Sequence, residues 1–415
     1  MEHIYSIQTE TEHVCFVLNR ETGRWVITSR FDKEVRRKIS KPFVKRPFIG
    51  TYLIALNMGR YCNFNCKYCL VGDLKSYNKL LDEEVALIAL DRIMELDPFD
   101  RHLVFHGSEP MLSFPLLKRL VSHAKRLDYN IQFSIQTNGS LFDDTNLLFL
   151  VNNNVGIGIS FDGLPIHQDT TRPLKDGSPT YHKVLKNIIK VKKHQGNLSI
   201  ITVVTKYNVN DLSDIIEHYE QLGIDSVLFC PVTPINDMSL KPDIDDLVLN
   251  MTKILDRYIE KTISGERTIR IDNLKHYLRN FFRPKTTSNC IQCGACQKHP
   301  LLAIDIDGSI YPCDYLWGNS NYKIGNIVEM SLKDALNSSR NYRCYRDVNN
   351  ISHCVSCSWK LFCGGGCPGG SLALGGKLEE SSIYCDYNRA MFTYVAKRIP
   401  FFHFTRLLPK FLELD

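Results

Sequence analysis

The sequence lacks a hydrophobic run long enough to cross a membrane, and its first residues are polar where a secretory signal would be apolar. It also lacks a nucleic-acid-binding motif, and its basic residues are not interleaved with aromatic ones. Its formal net charge of +6 over 415 residues is mild. We therefore expect a cytoplasmic protein with no membrane span and no nucleic-acid partner.

Cysteine, by contrast, is abundant: the chain has 15 cysteines. In a reducing compartment we expect these to be thiols rather than disulfides. The first group is Cys62, Cys66 and Cys69, which follow a β-like run at 52–57. Three thiolates on one short loop can hold three irons of a [4Fe–4S] cube and leave the fourth iron open to a small molecule, whereas electron-transfer clusters usually take four cysteines. A zinc knuckle or scattered structural thiols are the alternatives.

Six β-like runs alternate with helical patterns between residues 51 and 261. The predicted strands are 52–57, 102–106, 131–136, 156–161, 198–204 and 226–231. The predicted helices are 83–95, 115–126, 144–152, 180–194, 212–222 and 245–261. Repeated strand-then-helix units give parallel strands with right-handed crossovers. We predict an α/β fold, an open (β/α)6 partial TIM barrel, with its site at the carboxyl ends of the strands.

The Cx3Cx2C loop, with Tyr68 before its last cysteine, resembles the signature of the radical S-adenosylmethionine (SAM) superfamily. In that family the open iron binds SAM, and reductive cleavage of SAM gives a 5′-deoxyadenosyl radical that takes a hydrogen atom from the substrate. The resemblance implies that Cys62, Cys66 and Cys69 hold a catalytic [4Fe–4S] cluster. It also implies a reduced flavodoxin- or ferredoxin-type electron donor.

Loops after the later strands resemble the SAM-binding motifs of the same family. The run His106-Gly107-Ser108-Glu109-Pro110 resembles the Gly-Gly-Glu-Pro motif that anchors the SAM amino group, with a serine in place of the second glycine. Arg172 resembles the arginine that pairs with the SAM carboxylate, a role that suits a planar guanidinium. The resemblance implies that SAM is bound by Tyr68, Gly107, Ser108, Glu109, Pro110, Asn138, Ser160, Asp162 and Arg172.

A second, denser group of cysteines begins past Pro284, with the spacing C–x11–G–x4–C, then C–x2–C–x5–C–x3–C, then a last cysteine. This frame resembles the SPASM domain, named for the maturases of subtilosin, pyrroloquinoline quinone, anaerobic sulfatase and mycofactocin, which carries two auxiliary [4Fe–4S] clusters. The resemblance assigns Cys290, Cys296, Cys313 and Cys367 to the first auxiliary cluster. It assigns Cys354, Cys357, Cys363 and Cys385 to the second, so the chain would carry three [4Fe–4S] clusters in all.

Some cysteine assignments have alternatives. Cys293 could replace Cys290 or Cys296 in the first auxiliary cluster. A zinc ion could instead be held by Cys354, Cys357, Cys363 and Cys367, because two close cysteine pairs can form a tetrahedral zinc site with four thiolate ligands. Cys15, Cys230 and Cys344 stay unassigned, and we expect each to be a small buried hydrophobic residue.

These segments predict four regions along the chain. Residues 1–48 form a small appendage that could bind a leader peptide, 49–283 the barrel, 284–390 the SPASM domain and 391–415 an apolar tail. Much of the positive charge lies between Arg30 and Arg46. We expect that run to be a solvated face, the alternative being a surface for an acidic peptide or an acidic electron donor.

The resemblance implies an oxidoreductase that modifies a peptide or protein, and it leaves the reaction open. The favoured hypothesis is a maturase that oxidatively cross-links a ribosomally made peptide, because such enzymes often carry a leader-binding region before the barrel. The alternative is an anaerobic sulfatase maturase, which makes formylglycine from a Cys or Ser of a sulfatase. A further alternative is a non-catalytic iron–sulfur scaffold.

Two residues are candidate catalytic groups. Asp314, directly after Cys313, resembles the proposed general base of the sulfatase-maturing family. His106, at the end of the second predicted strand, could transfer a proton. A carboxylate beside the cluster and a hydrogen-bonded structural histidine are the alternative interpretations.

Two departures weigh against sulfatase maturation: His106 stands where that family has Gln, and Leu70-Val71 follow Cys69 where it has Tyr-His.

Overall fold

The computed structural model describes residues 4–8, 14–29, 33–41, 52–71, 79–96, 101–194, 196, 198–234, 237–282, 301–338, 348–373, 376–404 and 411. Its strands are β1 (Ile4–Gln8), β2 (Cys15–Asn19), β3 (Trp25–Thr28), β4 (Tyr52–Asn57), β5 (Arg101–His106), β6 (Gln132–Thr137), β7 (Gly156–Ser160), β8 (Leu198–Val204), β9 (Ser226–Pro231), β10 (Arg270–Ile271), β11 (Leu301–Ile304), β12 (Ser309–Tyr311) and β13 (Gly325–Asn326). Its α-helices are α1 (Lys33–Ser40), α2 (Glu83–Met94), α3 (Phe114–Arg126), α4 (Asp144–Asn152), α5 (Pro165–Thr171), α6 (Tyr181–Lys193), α7 (Leu212–Gln221), α8 (Ile244–Ser264), α9 (Asp272–Phe282), α10 (Leu332–Asn337), α11 (Lys360–Cys363), α12 (Pro368–Leu372) and α13 (Cys385–Phe404). No helix within these ranges is long and apolar enough to span a membrane.

The chain divides into two compact units that do not follow sequence order. One spans Met1–Phe48, Asp243–His299 and Arg346–Asp415, and the other spans Ile49–Pro242 and Pro300–Tyr345. We call them the terminal unit and the barrel unit. The predicted SPASM segment therefore contributes to both units.

The barrel unit is built on a parallel sheet in the order β9-β8-β7-β6-β5-β4-β11. Its register sets Ile54 of β4 opposite Leu103 of β5, and Leu103 opposite Phe133 of β6. Helices α2 to α7 connect the six successive strands β4 to β9. The predicted partial TIM barrel is confirmed. The observed strand ends differ from the predicted ones by at most one residue, as β6 at Gln132–Thr137 shows.

Apolar strands and amphipathic helices explain why this sheet forms. A parallel sheet is covered on its faces by the crossover helices, so its strands are rich in buried apolar residues, and Ile54, Leu56 and Phe105 are fully buried. Helix α3 turns Leu116, Leu117, Leu120, Val121 and Ala124 inward. Helix α4 begins with a capping box, in which Asp143 and Asn146 bond each other's backbone amides.

Strand β11 extends the barrel sheet with a segment from the predicted SPASM region. It pairs in parallel with β4, with Leu301 opposite Leu53, and then turns back into the antiparallel strands β12 and β13. Gly308 makes this turn at φ +80°, a backbone conformation that favours glycine. The short helical turn Asp314–Leu316 follows β12. The carboxyl end of β4 and the residues after β12 therefore belong to one continuous sheet region.

The terminal unit holds a small antiparallel sheet in the order β1-β2-β3, with Ile4 opposite Asn19 and Cys15 opposite Thr28. Aromatic side chains from distant segments pack together in this unit: the Phe16 ring lies 5.2 Å from Trp25 and 5.6 Å from Phe281. Trp359 stacks on Phe392 of α13 at 5.8 Å. The two long helices α8 and α13 also belong to this unit, so the predicted appendage and tail share one core.

A buried carboxylate ties β11 to the end of β4 within the barrel unit. Asp305 is 1% exposed, and it accepts hydrogen bonds from the Asn57 amide at 2.7 Å and from the Arg60 guanidinium. The Asn57 side-chain oxygen accepts in turn from the Gly59 amide at 3.1 Å. This network fixes the backbone just before the Cx3Cx2C loop.

We predict that Asp305→Ala destabilises the barrel unit by about 3 kcal/mol, because it leaves a largely buried guanidinium without its counter-charge. The expected result is a lower urea midpoint in far-UV circular dichroism. Asp305→Asn is the matched control: it keeps an acceptor for Asn57 and should lose less stability. Equal midpoints for Asp305→Ala and the native protein would contradict the prediction.

Candidate active site

A cavity opens at the carboxyl ends of the barrel strands, with about 1140 Å³ of empty space that is partly open to solvent. Its wall brings together the ends of β4 to β9 and the turn after β12. The lining residues are Asn57, Cys62, Phe64, Cys66, Tyr68, Cys69, Leu70, Val71, His106, Gly107, Ser108, Gln136, Thr137, Asn138, Ser160, Arg172, Val203, Cys230, Pro231, Val232, Thr233, Asp314, Tyr315 and Trp317. Barrels of this type place their active sites at this end.

The Cx3Cx2C loop forms one side of the cavity. Cys62 is buried, whereas Cys66 and Cys69 are half-exposed. The loop is held against the segment after α5 by backbone hydrogen bonds, from Asn65 N to Pro173 O at 2.8 Å and from Lys67 N to Thr171 O at 3.0 Å. All three cysteines therefore line one cavity from a fixed backbone.

The donor set and the size of this cavity fit an iron–sulfur cube. In the part of the chain that the structure describes, no three His, Cys, Asp or Glu side chains are grouped to hold a single metal ion. A four-iron cube is larger than one ion, so its thiolates surround it at wider spacing. Cys62, Cys66 and Cys69 would hold such a cube, and the space beside them can take a small cofactor.

Tyr68 and Arg172 form a buried charged cluster next to this loop. The Tyr68 hydroxyl donates to Asp162 and accepts from the Arg172 guanidinium at 2.8 Å. Burial raises the pKa of Tyr68 well above its ordinary value, so the phenol keeps its proton. Burial by itself would lower the pKa of Arg172, but the charges of Cys66 and Asp162 and the hydrogen bond to the Tyr68 hydroxyl outweigh it and hold that pKa well above its ordinary value. Arg172 is therefore a fixed cation at the cavity wall.

Asp162 supports this cluster from behind. Its side chain is fully buried and does not line the cavity. It accepts from the Thr171 hydroxyl at 2.7 Å and from the Val203 amide at 3.1 Å, in addition to Tyr68. We therefore assign Asp162 to positioning Tyr68 and, through it, Arg172, rather than to direct contact with SAM.

The His106–Pro110 loop is shaped by one glycine and one buried carboxylate. Gly107 has φ +111°, and a Cβ there would lie 2.1 Å from the Asn57 side-chain oxygen, so only glycine fits. Glu109 is 3% exposed and accepts from the Thr137 hydroxyl at 2.6 Å and the Asn138 amide at 2.7 Å. Burial raises the pKa of Glu109, while these hydrogen bonds oppose that rise.

The predicted SAM contacts thus separate into two groups. Those that line the cavity are Tyr68, Gly107, Ser108, Asn138, Ser160 and Arg172. Glu109 and Pro110, like Asp162, do not line it, and Glu109 instead positions Asn138. Gln136, which sequence reasoning did not single out, lines the cavity and donates to the Ser160 hydroxyl at 2.9 Å.

The two candidate catalytic residues lie close together in the cavity lining. His106 Nδ1 lies 4.0 Å from Asp314 Oδ2, and the His106 ring centre lies 5.7 Å from the Trp317 ring centre. The Cys313 thiol donates to Asp314 Oδ1 at 3.1 Å. Trp317 and Tyr315 also line the cavity, although neither was predicted. The sequence signal that could have indicated them is the presence of two aromatic residues shortly after Pro312-Cys313-Asp314.

The auxiliary cysteines are only partly described. Cys290, Cys293, Cys296 and Cys344 lie outside the described residues. Cys313 and Cys367 fall in different units, so the first auxiliary cluster stays a prediction. The four cysteines assigned to the second cluster, Cys354, Cys357, Cys363 and Cys385, all lie in the terminal unit. Burial raises the pKa of the Cys385 thiol, and the nearby negative charge of Cys357 raises it further.

Two unassigned cysteines differ from expectation. The Cys15 thiol is half-exposed and donates to the Gln8 side chain at 3.2 Å. Cys230, at the end of β9, is half-exposed and lines the cavity. The expectation of two small buried hydrophobic residues was therefore wrong, because it used composition alone and ignored which face of the strand each cysteine occupies.

Comparison with known proteins identifies the fold family. Residues 56–219 match the radical SAM superfamily, and residues 293–358 match SPASM, an iron–sulfur cluster-binding domain. The chain belongs to the radical SAM superfamily. This radical SAM enzyme uses a [4Fe–4S] cluster and SAM, and its SPASM domain binds further iron–sulfur clusters.

Named relatives are similar over most of their length, and solved structures share the fold. A cysteine-type anaerobic sulfatase-maturating enzyme of Clostridium perfringens is 26% identical over 358 residues, which cover 81% of this chain and 94% of the relative. The structure of native anSMEcpe with bound AdoMet and Cp18Cys peptide aligns with TM-score 0.74 at 22% identity, over 88% of this chain and 100% of that one. Streptococcus suis SuiB bound to precursor peptide SuiA aligns with TM-score 0.60 at 15% identity, over 92% and 98% of the two chains.

We predict that replacing Cys62, Cys66 and Cys69 together by Ala abolishes SAM cleavage by this radical SAM enzyme. Iron should fall from about twelve to about eight per chain, since one cube of three is lost. Measurements are 5′-deoxyadenosine by chromatography and iron by colorimetric assay after anaerobic reconstitution. Cys15→Ala is the control and should change neither value. Retained SAM cleavage in the triple variant would contradict the assignment of these three cysteines to the catalytic cluster.

We predict that Arg172→Lys weakens SAM binding by roughly tenfold or more, because an ammonium cannot reproduce the planar guanidinium that holds Tyr68 and faces the cavity. Equilibrium dialysis against labelled SAM under anaerobic conditions measures the change. Arg119→Lys, at an exposed ion pair with Glu83, is the matched control and should bind SAM as the native protein does. Unchanged affinity in Arg172→Lys would remove Arg172 from the SAM site.

Proposed function

We propose that this radical SAM enzyme oxidises a side chain of a peptide or protein substrate by two electrons, with conversion of a Cys or Ser to formylglycine as its first candidate reaction. The observation that carries the proposal is that Asp314 lies 4.0 Å from His106 in the lining of the cavity that the three loop cysteines also line. The similarity to sulfatase-maturating enzymes over most of their length supports the same choice.

The chemistry divides between the cofactors and the protein. When bound, the cluster and SAM supply a 5′-deoxyadenosyl radical that takes one hydrogen atom from the substrate. Cys62, Cys66 and Cys69 would hold the cluster, and Arg172 would pair with the SAM carboxylate. The partly enclosed cavity keeps the reacting groups from bulk water.

Asp314 and His106 would accept a proton from the substrate and transfer it to solvent. A Cys or Ser side chain that has lost a hydrogen atom from Cβ would give its second electron to a further iron–sulfur cluster of the SPASM domain. It must also release its S–H or O–H proton to become a thioaldehyde or an aldehyde. Asp314 can accept that proton, and His106, at 4.0 Å, can take part in passing it to solvent. Water would then hydrolyse a thioaldehyde to the aldehyde and release hydrogen sulfide.

Peptide cross-linking is the second candidate function. Two features of the cavity support it: His106 replaces the Gln of the sulfatase-maturing motif, and Leu70-Val71 provide an apolar wall where that family has Tyr-His. The antiparallel sheet β1-β2-β3 adds a further argument, because β1 is an edge strand to which an extended leader peptide could add. SuiB, which was solved with a precursor peptide, shares the fold.

Mass spectrometry separates the two candidates. The enzyme is incubated anaerobically with SAM, a reductant and either the Cp18Cys peptide or its Ser counterpart, or it is co-expressed with a short polypeptide encoded beside its gene. A carbonyl product that reacts with a hydrazide, with sulfur lost from the Cys peptide, supports formylglycine formation. Loss of two hydrogens without a carbonyl, and with fragments that stay joined, supports cross-linking.

We predict that Asp314→Asn lowers product formation by about a hundredfold or more, as expected for loss of a general base, while 5′-deoxyadenosine still forms. The reason is that hydrogen-atom abstraction precedes proton release. Both products are quantified in the same reactions by mass spectrometry and chromatography. Asp307→Asn, which changes an exposed carboxylate on the same segment, is the control. Equal product yield from Asp314→Asn and the native enzyme would exclude Asp314 as the base.

A further inference from the structure

Three lysines and two tyrosines form cation–π contacts on the Cx3Cx2C loop and on segments that contact it. The Lys67 and Lys206 ammonium groups are each 5.1 Å from the centre of the Tyr207 ring. The Lys175 ammonium lies 4.2 Å from the centre of the Tyr61 ring. We call these five residues the loop patch. The three lysines and Tyr207 are exposed to solvent.

The loop patch keeps its positive charge. Within the described ranges, Lys67, Lys175 and Lys206 make no ion pair, and aromatic rings hold them in place without neutralising them. Some other surface lysines of the same unit do form ion pairs, such as Lys192 with Asp225 at 2.7 Å and Lys190 with Asp144 at 3.1 Å. The local surface is therefore positive at positions where a partner could complete the pairing.

Two carboxylates border the loop patch and reduce its charge only in part. The Asp176 side chain accepts from the Ser178 amide at 2.9 Å. The Asp237 side chain accepts from the Ser239 amide at 2.8 Å, and hydrogen bonding by Ser239 lowers the pKa of Asp237, with a smaller effect from Lys206. Both carboxylates are thus engaged by local turns. Among the described residues, neither forms an ion pair with a lysine of the loop patch, so the patch stays basic.

The loop patch is built on the cluster-binding loop itself. Lys67 lies between Cys66 and Cys69 in the sequence, and the Lys175 amide donates to the Asn63 carbonyl at 3.2 Å. Cys66 and Cys69 are half-exposed. Because electron transfer falls steeply with distance, a protein that docks here places its redox centre as near the cluster as this loop permits.

We propose that the loop patch is the docking surface for a small acidic electron-carrier protein of the flavodoxin or ferredoxin type. Basic surfaces attract acidic partners over a distance and orient them, and aromatic side chains suit short-lived interfaces. On docking, the reduced carrier gives one electron to the oxidised cluster, and the carrier is oxidised by one electron. The proposal rests on membership of the radical SAM superfamily and not on the identity of the peptide substrate.

The test reverses the charge of the two lysines outside the cysteine motif, Lys175→Glu with Lys206→Glu. The matched control is Lys125→Glu with Lys193→Glu, two exposed lysines in the last turns of α3 and α6, at the other end of the barrel helices. Binding of flavodoxin, and in a second arm of a plant-type ferredoxin, is measured by biolayer interferometry at several salt concentrations. SAM cleavage is measured with either reduced carrier and, separately, with dithionite.

The loop-patch variant should bind the carrier about tenfold more weakly at low salt and lose most of its salt dependence, as expected for a lost electrostatic interface. Carrier-driven SAM cleavage should fall with it, while dithionite-driven cleavage stays unchanged. The control pair should match the native enzyme in every assay. An unchanged loop-patch variant, an equal loss in the control pair, or a native enzyme that binds neither carrier would each overturn the proposal.

Two other outcomes also count against it. If dithionite-driven cleavage falls as much as carrier-driven cleavage, the lysines support the loop and do not dock a carrier. If the loop-patch variant binds the carrier normally but forms less product from an acidic peptide substrate, the patch binds the substrate instead. A failed formylglycine or cross-linking assay leaves all of these readouts intact, so the two proposals fail separately.

Discussion

The barrel site depends on keeping a cation buried beside a cysteine thiol. Arg172 is nearly inaccessible, and taking a guanidinium out of water is costly unless negative groups surround it. Asp162 provides the counter-charge through the Tyr68 hydroxyl, and Tyr68 belongs to the same loop as the cysteines. The fixed positions of the cluster loop, the arginine and the strand end that carries Asp162 therefore follow from one electrostatic requirement.

Most of the barrel could be predicted from local sequence, whereas its extension could not. The six strands were predicted because each is a short apolar run followed by a helix, and β4 and β8 were placed at their observed bounds. The pairing of β4 with β11 joins residues far apart in the sequence, and no local pattern encodes it. That pairing brings Asp314 and Trp317 to the cavity. The site was thus predictable where it depends on strand ends and unpredictable where it depends on sheet order.

Sequence motifs also could not separate ligand contacts from the residues that support them. Glu109 and Asp162 stand in motifs that resemble SAM-binding motifs, yet both are buried and engaged by protein hydrogen bonds. Gly107 is explained by geometry, since its conformation and the nearby Asn57 exclude any side chain. The spacing of a motif along the chain indicates which residues belong to a loop of a given structure. It does not record which of them face the cavity.

The hydrogen-bond balance of the cavity wall shows where ligands are expected. Within the described structure, four of its lining residues have a buried polar atom without a hydrogen-bond partner: His106 Nδ1, Ser108 Oγ, Arg172 Nε and Trp317 Nε1. Each such atom costs about 1–3 kcal/mol if it stays unpaired. The supporting carboxylates Asp162, Glu109 and Asp305 all accept hydrogen bonds from the protein instead. Folding therefore satisfies the hydrogen bonds of the supporting carboxylates and leaves four polar groups of the cavity lining open to bound molecules.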